Sequence, residues 1–471
     1  MATIKTDLCV IGAGSGGLSV AAGAAQMGAD VVLVEGGRMG GDCLNYGCVP
    51  SKALIAAGKH AHAMTTGAPF GVQPVQPRID YEAAKDHVAR VIAGIAPHDS
   101  VERFESLGVR VVQAYGAFIS PRELRAGDQV IRARRFVIAT GSSPLLPPIP
   151  GLESVPYLTN ETVFELREQP EHLIIIGGGP IGMELAQAHR RLGSRVTVLE
   201  GQKALGKDDP ELAAIALERI RAEGVEIIEG ALAERIAGKA GSIAVHVKEG
   251  EVFNGTHLLV AVGRKPNTER LNLSAAGVEV ARGAIKVNAA LKTANRRIYA
   301  IGDVIGGLQF THMANYHAGI VIRSALFGLP ARASSAHIPW ATYTDPEIAQ
   351  VGLTEAEARD RYGARLEVVR FDYAENDRAR AELATTGLIK VMVVKGRPVG
   401  ASIVGAQAGE LIQIWALAIA NRLKMGAIAA MVSPYPTLGE INKRAAGAYF
   451  GPRLFESRKV KAMVRLVQRL R

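Results

Sequence analysis

The feature that most constrains this chain is a glycine-rich pattern that occurs twice. The first copy spans Asp7–Glu35, where an apolar strand leads into GAGSGG at 12–17 and a helix and a second strand follow. The second copy spans His172–Glu200 and has GGGPIG at 177–182 in the same place. Each copy predicts a strand, a glycine turn, a helix and another strand. Two such units predict an α/β fold with two dinucleotide-binding domains.

The glycines stand where a bound pyrophosphate needs them. Gly12 makes the tight turn, Gly14 lets phosphates approach the backbone, and Gly17 lets the helix pack on the strand. The helix N-terminus then offers free N–H groups and a partial positive charge. An acidic residue, Glu35 or Glu200, follows the last glycine by 18 residues, where it can bind ribose hydroxyls. The corresponding glycines of the second copy are Gly177, Gly179 and Gly182.

The composition limits the classes of protein to which this chain can belong. The chain has 471 residues, enough for about three domains of ~150 residues each. Its apolar runs are far shorter than the ~18–20 residues that cross a bilayer, and without a charged leader pattern before the first strand we expect no secretory signal. We therefore expect a cytoplasmic protein. The net charge of +10 suits anionic nucleotides, and with 5% aromatic residues we expect no nucleic-acid platform.

The segment that carries the most chemistry is GGDCLNYGCVPSKAL at 40–54. Four residues separate Cys43 from Cys48, and the proline and serine that follow fit the first turn of a helix. A cysteine at a helix N-terminus has a lowered pKa, and Lys52 adds a positive charge one turn further on, so thiolate exchange is expected. The alternatives are an incidental buried pair or two metal ligands. Cys9 is the only other cysteine and no histidine cluster has ligand spacing, so we predict no bound metal.

This segment closely resembles the redox motif of the pyridine nucleotide–disulfide oxidoreductases, which include lipoamide dehydrogenase, glutathione reductase and mercuric reductase. The resemblance covers essentially the whole chain. It includes ATGS at 139–142, AVGRKPN at 261–267, IYAIGD at 298–303 and YTDPEIAQVGLTE at 343–355, in the family's order.

The resemblance implies a glutathione-reductase-like fold with two Rossmann-like domains, for FAD and NAD(P), and a C-terminal α+β dimerisation domain. The FAD-binding domain would comprise residues 1–150 and 271–336, with the NAD(P)-binding domain at 151–270. Residues 337–471 would form the dimerisation domain and end in a basic tail. A predicted hairpin of Gly387–Val394 and Pro398–Val404 fits this last domain.

The resemblance also implies roles for single residues around the flavin. Cys48 would face the flavin and Cys43 would meet the substrate. Lys52 would pair with Glu184 near the flavin nitrogen that accepts hydride. Glu35 would bind the FAD ribose. The further contacts expected for FAD are Gly12, Gly14, Gly17, Gly41, Gly116, Thr140, Gly141, Ser142, Asp303, Thr311 and His312, and those for the nicotinamide nucleotide are Gly177, Gly179, Gly182, Glu200 and Gly263.

The coenzyme preference follows from Glu200. Its carboxylate stands where the 2′-phosphate of NADP(H) would lie, and like charges repel. We therefore predict a preference for NAD(H). Lys203 and Lys207 are close in sequence and keep NADP(H) as the alternative.

The chain departs from the lipoamide and glutathione enzymes in the C-terminal domain. Those enzymes carry a His-Pro-Thr segment with a glutamate five residues after the histidine, and this pair from the partner subunit is the acid/base for thiol exchange. Here the segment reads SPYPTLGE at 433–440, so Tyr435 replaces the histidine and Glu440 is retained. Tyrosine, with an unperturbed pKa of about 10, is a poor base at neutral pH. A weak role in proton transfer and simple packing at the interface both remain open for Tyr435.

Mercuric reductase also lacks this histidine, but it ends in a vicinal cysteine pair, and this chain has no cysteine after Cys48. We predict a homodimeric, FAD-dependent NAD(P)H oxidoreductase, dihydrolipoyl-dehydrogenase-like, whose substrate is a small-molecule or protein-bound disulfide or dithiol. A mercuric-reductase-like enzyme or a quinone reductase is the alternative. An inactive scaffold protein is a third possibility, against which the intact Cys43, Cys48, Lys52 and Glu184 argue.

The segment Glu456–Arg471 predicts a basic amphipathic helix. We expect its apolar stripe to pack on the same protein or on a dimer partner. A weak contact with an anionic membrane surface is the alternative. The stripe consists of Val460, Met463, Val464, Val467 and Leu470, and the basic residues are Arg458, Lys459, Lys461, Arg465, Arg469 and Arg471.

Overall fold

A computed structural model describes residues 2–248 and 250–470 of the chain. The strands of this part, in chain order, are β1 (Ala2–Ile11), β2 (Val31–Glu35), β3 (Val109–Gln113), β4 (Gly116–Ser120), β5 (Glu123–Ala126), β6 (Gln129–Ile138), β7 (Ser142–Pro144), β8 (His172–Ile176), β9 (Arg195–Glu200), β10 (Val225–Glu229), β11 (Ala233–Lys239), β12 (Ser242–Val247), β13 (Val252–Gly255), β14 (His257–Val260), β15 (Arg264–Pro266), β16 (Val280–Ala281), β17 (Ala284–Ile285), β18 (Ile298–Ala300), β19 (Pro339–Thr342), β20 (Glu347–Gly352), β21 (Leu366–Asp372), β22 (Leu388–Val394) and β23 (Arg397–Gly405). The α-helices are α1 (Ser15–Gln26), α2 (Gly41–Asn45), α3 (Cys48–Thr65), α4 (Tyr81–Ile95), α5 (Val101–Ser106), α6 (Pro180–Arg191), α7 (Pro210–Ala222), α8 (Thr311–Ala325), α9 (Glu355–Tyr362), α10 (Asp377–Ala381), α11 (Ala408–Leu411), α12 (Gln413–Ala420), α13 (Met425–Ala429), α14 (Glu440–Gly451) and α15 (Arg458–Leu470).

The first glycine-rich unit lies in a seven-stranded sheet with the order β3-β2-β1-β6-β5-β4, in which β18 also pairs with β6. β1 runs parallel to β2 and β6, so Val10 lies opposite Leu33 on one side and Val137 on the other. Separate hydrophobic clusters cover the two faces of this sheet. Burial on both faces explains why β2 reads as the unbroken apolar run VVLV rather than as an alternating pattern.

The second glycine-rich unit lies in a four-stranded sheet with the order β10-β9-β8-β14. β8 pairs in parallel with β9 and with β14. This sheet and a three-stranded antiparallel sheet, β11-β12-β13, share one hydrophobic cluster. The antiparallel sheet contributes Ile236, Ile243 and Val245 to it. The crossover from β8 through α6 to β9 is the strand–helix–strand unit that the second repeat predicts.

The two glycine turns have the same backbone geometry. Gly12 has a φ of +104° and Gly177 has a φ of +112°, which favours glycine at both positions. A Cβ atom at Gly17 would lie 1.8 Å from the carbonyl oxygen of Gly12, and one at Gly182 would lie 2.0 Å from that of Gly177. Both turns therefore need glycine once for the positive φ and once because a Cβ atom would strike the backbone. The prediction of two Rossmann-like units is confirmed.

The C-terminal part has the predicted α+β character. Its five-stranded sheet has the order β19-β20-β23-β22-β21, and every neighbouring pair is antiparallel. The predicted hairpin is present as β22 and β23, and its turn residues Lys395 and Gly396 have φ values of +50° and +71°. Positive φ at both positions matches the twist of a two-residue hairpin. Helices α11–α14 share one hydrophobic cluster with this sheet, centred on the fully buried Trp415.

The chain forms two compact units. One comprises the residues up to Gly201 together with Glu226–Ser334, and the other comprises Gln202–Val225 together with the chain from Ser335 onward. Helix α7 thus packs with the C-terminal sheet, although it follows the second glycine-rich unit in sequence. The division into FAD-binding, NAD(P)-binding and dimerisation domains is one of function and stays a prediction.

A buried ion cluster explains where α7 packs. Lys390 on β22 is 3% exposed, and its Nζ lies 2.9 Å from Asp209, 2.6 Å from Glu211 and 2.9 Å from Glu355. Arg370 on β21 binds Glu211 and Glu355 at 3.1 and 2.9 Å. Asp209 and Glu211 belong to the start of α7, so these charges attach the helix to the C-terminal sheet.

The basic tail forms the predicted helix, α15. The expected packing on the same protein is not observed, whereas packing on a dimer partner stays a prediction. None of its residues is buried. Arg471, one of the predicted basic residues, lies outside the described residues. Across residues 2–248 and 250–470, no helix is both long enough and apolar enough to cross a membrane.

Candidate redox site

The cysteine segment folds into the short helix α2 and the first turns of helix α3. Cys43 lies in α2, and Cys48 is the first residue of α3, directly after the turn residue Gly47. Cys43 is half-buried and Cys48 is exposed, whereas Cys9 is buried in β1. The sequence-predicted helix start is therefore observed at Cys48. The N-terminal end of α3 presents its partial positive charge to the Cys48 sulfur.

The two thiols share one proton unequally. The hydrogen bond with Cys43 lowers the pKa of Cys48 to about 6, and the Thr311 hydroxyl and the Lys52 charge act in the same direction. The same hydrogen bond with Cys48, together with burial, raises the pKa of Cys43 far above its ordinary value. Near neutral pH the pair thus consists of a Cys48 thiolate and a Cys43 thiol.

A second helix start supports this thiolate. Thr311 is the first residue of α8, and its Oγ1 lies 3.5 Å from the Sγ of Cys48. The neighbouring His312 stacks on Phe310, with ring centroids 5.3 Å apart. The sulfur therefore lies between the N-terminal ends of α3 and α8, where partial positive charge from both helices favours the thiolate.

The predicted Lys52–Glu184 pair is present. Lys52 Nζ lies 2.8 Å from Glu184 Oε2, and the carboxylate side chain is 7% exposed. Lys52 lies on α3 and Glu184 on α6, and these helices pack closely where a Cβ atom at Gly58 would be 3.3 Å from the backbone of Ala188. The pair therefore joins the cysteine helix to the second glycine-rich unit.

The first glycine turn leaves a cradle of the kind that FAD needs. Beside Gly14 the nearest atom to an added Cβ is the Cα of Gly41, 4.0 Å away, so the backbone is open there. Glu35 at the end of β2 accepts hydrogen bonds from the Ala13 and Gly37 N–H groups at 2.5 and 2.6 Å. These residues fit the pyrophosphate and ribose of a dinucleotide.

The predicted flavin-binding residues around Asp303 form one hydrogen-bonded network. Ser142 donates to Asp303 at 2.6 Å, and Arg264 donates from Nε to the Ser142 hydroxyl at 2.8 Å. Arg264 also pairs with Asp42 at 3.0 Å, beside Cys43. Burial raises the pKa of Asp303. The network therefore connects the expected FAD-binding groups to the cysteine segment.

Arg264 and Asp42 were not among the predicted site residues, and neither was Asn267. Asn267 exchanges hydrogen bonds with the Thr140 backbone and hydroxyl at 3.0 and 2.7 Å. Its neighbour Gly141 has a φ of +67° and open space at its Cβ position. Arg264 and Asn267 belong to AVGRKPN at 261–267, so the polar residues of that motif were the available signal.

The second turn leaves a matching cradle. No atom lies within 4 Å of a Cβ atom added at Gly179, and the same is true at Gly263. Glu200 accepts a hydrogen bond from the Gly178 N–H at 2.7 Å, as Glu35 does in the first unit. These residues fit a nicotinamide dinucleotide. At Gly116 an added Cβ atom would lie 2.9 Å from the Leu124 side chain, and the predicted FAD contact of this glycine stays a prediction.

Tyr435 and Glu440 lie in the other compact unit and have separate partners. Tyr435 is 69% exposed, and its hydroxyl donates to Asp377 at 3.0 Å. That hydrogen bond raises the pKa of Tyr435, so an even smaller fraction of the phenol is deprotonated at neutral pH than in free tyrosine. Glu440 accepts a hydrogen bond from Arg444 at 3.0 Å. The structure thus shows ion pairing at Glu440 rather than a Tyr435–Glu440 hydrogen bond.

Two dinucleotide cradles with a thiolate–thiol pair beside the first define a nucleotide-dependent thiol oxidoreductase. The sequence profile of the pyridine nucleotide-disulphide oxidoreductases matches residues 6–318, and that of their dimerisation domain matches residues 338–446. The chain belongs to this family. It is an FAD-dependent oxidoreductase that uses NAD(P)H, and its dimerisation domain points to a homodimer.

Relatives in this family carry different names. The chain is 35% identical to a mercuric reductase of Lysinibacillus sphaericus over 93% of this chain and 82% of that protein. It is 34% identical to a dihydrolipoyl dehydrogenase of Geobacillus stearothermophilus over 95% and 97% of the two chains. A Cu(II) complex of the HOCl-induced flavoprotein disulfide reductase RclA of Escherichia coli matches with a TM-score of 0.84 and 29% identity, over 93% and 99% of the two chains.

Proposed function

We propose that this enzyme uses NADH to reduce an acceptor that reacts with the Cys43–Cys48 dithiol without help from a strong base. The observation that carries the proposal is the combination of a Cys48 thiolate with a raised pKa at Tyr435. Bound FAD would supply two-electron transfer between the nicotinamide and the cysteine pair. Gly14, Glu35 and Asp303 would hold the FAD, and Gly179 and Glu200 would hold the nicotinamide nucleotide.

With a disulfide acceptor, the cysteines act in two steps. Cys43 loses its proton, attacks one acceptor sulfur and expels the other as a thiolate. The Cys48 thiolate then attacks the Cys43 sulfur, forms the Cys43–Cys48 bond and releases the second acceptor sulfur as a thiolate. The acceptor gains two electrons from the cysteine pair, one proton from Cys43 and one proton from solvent. The first step requires a base for Cys43, whose raised pKa makes that proton hard to remove.

A metal-ion acceptor is the second candidate. A soft ion bound by thiolate sulfur takes electrons without the sulfur-to-sulfur proton transfers of disulfide exchange. The names of the relatives, mercuric reductase and a flavoprotein disulfide reductase in a Cu(II) complex, favour this class. In the described part of the chain, no group of three or more potential ligand side chains forms a separate metal site. The ion would therefore be a substrate of the cysteine pair.

The deciding experiment is an acceptor panel run with the FAD-loaded enzyme and NADH. The acceptors are lipoamide, glutathione disulfide, a short-chain quinone, mercuric ion and cupric ion. A kcat/KM that is highest for a metal ion and is lost in Cys43→Ser supports the second candidate. Rapid turnover of lipoamide by the unmodified protein would contradict the proposed lack of an effective base. Reduction of quinone that persists in Cys43→Ser would show that the cysteines are not on the electron path.

The coenzyme preference gives one prediction. We expect a higher kcat/KM with NADH than with NADPH, because the Glu200 carboxylate would repel a 2′-phosphate. Glu200→Ala should lower this ratio roughly 10-fold, the size of one hydrogen bond to a charged group. Glu171→Ala, at an exposed carboxylate before β8, is the matched control and should leave the ratio unchanged. Higher efficiency of the unmodified enzyme with NADPH would overturn the assignment of Glu200.

A second prediction concerns the missing histidine. Tyr435→His should raise dihydrolipoamide oxidation by about 10-fold to 10²-fold, because an imidazole titrates near neutral pH and a general base contributes ~10²–10⁴-fold in favourable geometry. Tyr435→Phe should change the rate less than about twofold. Steady-state rates at pH 7 and pH 9 show whether residue 435 acts as a base or only packs, because only a base changes the pH dependence of the rate. A large loss in Tyr435→Phe would instead show that the phenol transfers the proton.

A further inference from the structure

Helix α15 has no part in the proposed function and is the least covered helix of the described chain. It runs from Arg458 to Leu470, and each of its residues is exposed except Val460, which is half-buried. Its apolar side chains include Met463, 60% exposed, and Leu470, 79% exposed. Contiguous apolar surface of this kind on a folded protein marks a surface that meets a partner.

The apolar and charged side chains of α15 lie on opposite sides. At about 100° per residue, the apolar residues occupy one continuous arc of roughly 160°. Arg458, Lys461, Arg465 and Arg469 occupy the opposite arc, and Lys459 lies within the apolar arc near its edge. The apolar arc consists of Val460, Met463, Val464, Leu466, Val467 and Leu470. This separation is typical of a helix that lies in the plane of a membrane surface.

The charge of α15 indicates which kind of partner this helix can bind. The helix carries five basic residues and no acidic one. Two copies of α15 packed face to face would have no carboxylates to pair with these cations, and Lys459 would lie beside the apolar seam. On a membrane, a lysine at the edge of the apolar face extends its ammonium toward the phosphates while its methylenes stay in the apolar layer. A negatively charged lipid surface therefore complements both faces at once.

The turn before the helix adds to the same surface. Pro452–Glu456 forms a π-helical turn that contacts α15. It exposes Leu454 and Phe455, the latter 74% exposed. Aromatic and aliphatic side chains beside a basic amphipathic helix are the residues that enter the headgroup layer.

We infer that α15 binds an anionic phospholipid surface, with its apolar arc in the headgroup–acyl boundary and its basic residues against the phosphates. The surface is built by the chain itself and does not depend on the acceptor of the redox site. Binding should be reversible and salt-sensitive, because each basic residue near the surface contributes roughly fivefold to the affinity.

Vesicle sedimentation tests this inference with the FAD-loaded enzyme. The protein is mixed with vesicles of pure phosphatidylcholine, or with vesicles in which roughly one lipid in three is the anionic phosphatidylglycerol. We expect binding to the anionic vesicles at low salt and none to the neutral ones. The charge reversal Arg465→Glu with Arg469→Glu should weaken binding by roughly 30-fold or more, at about fivefold per basic residue removed.

Matched variants separate charge from the apolar face. Arg110→Glu with Arg132→Glu reverses two exposed charges elsewhere and should leave binding within about fivefold of the unmodified protein. Met463→Ser with Val467→Ser should weaken binding, whereas Val252→Ser with Leu329→Ser, at similarly exposed apolar positions, should not. A protein ending at Phe455 should not bind. NADH oxidation measured in solution should be the same for all of these proteins.

Three outcomes would overturn the inference. The first is equal sedimentation of the full and shortened proteins, or none by either. The second is equal binding to neutral and anionic vesicles, which would leave the charges without a role. The third is a change in oligomeric state on shortening, measured by sedimentation velocity, without any vesicle binding. That result would show that α15 meets a second copy of the chain.

Discussion

Cys48→Ser is expected to remove the long-wavelength absorbance band that two-electron reduction produces in the FAD-loaded protein, and to lower NADH-dependent acceptor reduction on the order of 10³-fold or more. The band requires a thiolate in contact with the flavin, and Cys48 is the sulfur that the structure stabilises as a thiolate. Serine has nearly the same shape but no comparable acidity. The protein should still purify yellow, because the FAD cradle is formed by other residues.

Cys43→Ser is the matched control. It should abolish acceptor reduction to a similar extent, because the disulfide cannot form, yet it should keep the absorbance band because Cys48 remains. An unchanged band in Cys48→Ser would show that the assignment of the two sulfurs is wrong.

The same band should depend on pH. Since the pKa of Cys48 is lowered to about 6, the thiolate is present above that pH and is protonated below it. The band should therefore be strong at pH 8, fall as the pH is lowered through about 6, and recover on return. Replacing Thr311 with valine removes a hydroxyl 3.5 Å from the sulfur and should move the midpoint upward. A midpoint near the ordinary thiol value in the unmodified protein would contradict the described hydrogen bonding.

Lys390→Met is expected to destabilise the C-terminal unit by about 3–5 kcal/mol, the usual cost of removing one partner from a buried ion cluster. The substitution leaves Asp209, which is 2% exposed, without its buried cation, while Glu211 and Glu355 keep only Arg370 and Arg359. Both tryptophans of the chain, Trp340 and Trp415, lie in this unit. Tryptophan fluorescence in a urea titration therefore reports its unfolding.

Lys424→Met is the control, because Lys424 is exposed and the change should stay within about 0.5 kcal/mol. The deficit of Lys390→Met should be constant near neutral pH and should shrink as the pH falls below about 4.3, the ordinary glutamate pKa. Hydrogen bonding with Arg370 and Lys390 holds the pKa of Glu211 below its ordinary value, so its stabilisation is present above the unfolded pKa and is lost as the pH falls. A loss under 1 kcal/mol at pH 7 would mean that water or Arg370 compensates for the missing lysine.

The sequence by itself determined the parts of this protein that depend on a few neighbouring residues. The two glycine turns, the helix start at Cys48 and the hairpin of β22 and β23 all follow from local constraints on the backbone. A glycine such as Gly17 is required because any side chain would strike the preceding turn, and that requirement is visible in a short segment. For this reason the family and the fold class were predictable from motifs alone.

Tertiary structure decided which distant charges meet. The family resemblance implied the Lys52–Glu184 pair across 132 positions, but only the packing of α3 on α6 places the two atoms 2.8 Å apart. Packing also paired Tyr435 with Asp377, which the sequence did not indicate, and so raised the pKa of the phenol. The environment of a side chain depends on elements far away in the chain, which a local pattern does not encode.

The same distinction applies to whole helices. α7 and α15 are both amphipathic by sequence, and periodicity alone predicts that each covers a core. Folding buries Leu212 and Ile220 of α7 in the C-terminal unit, where Lys390 neutralises the carboxylates at its start. It leaves the apolar arc of α15 in solvent. Amphipathicity is a property of the segment, whereas burial requires a complementary surface, and only the folded chain shows whether that surface is present.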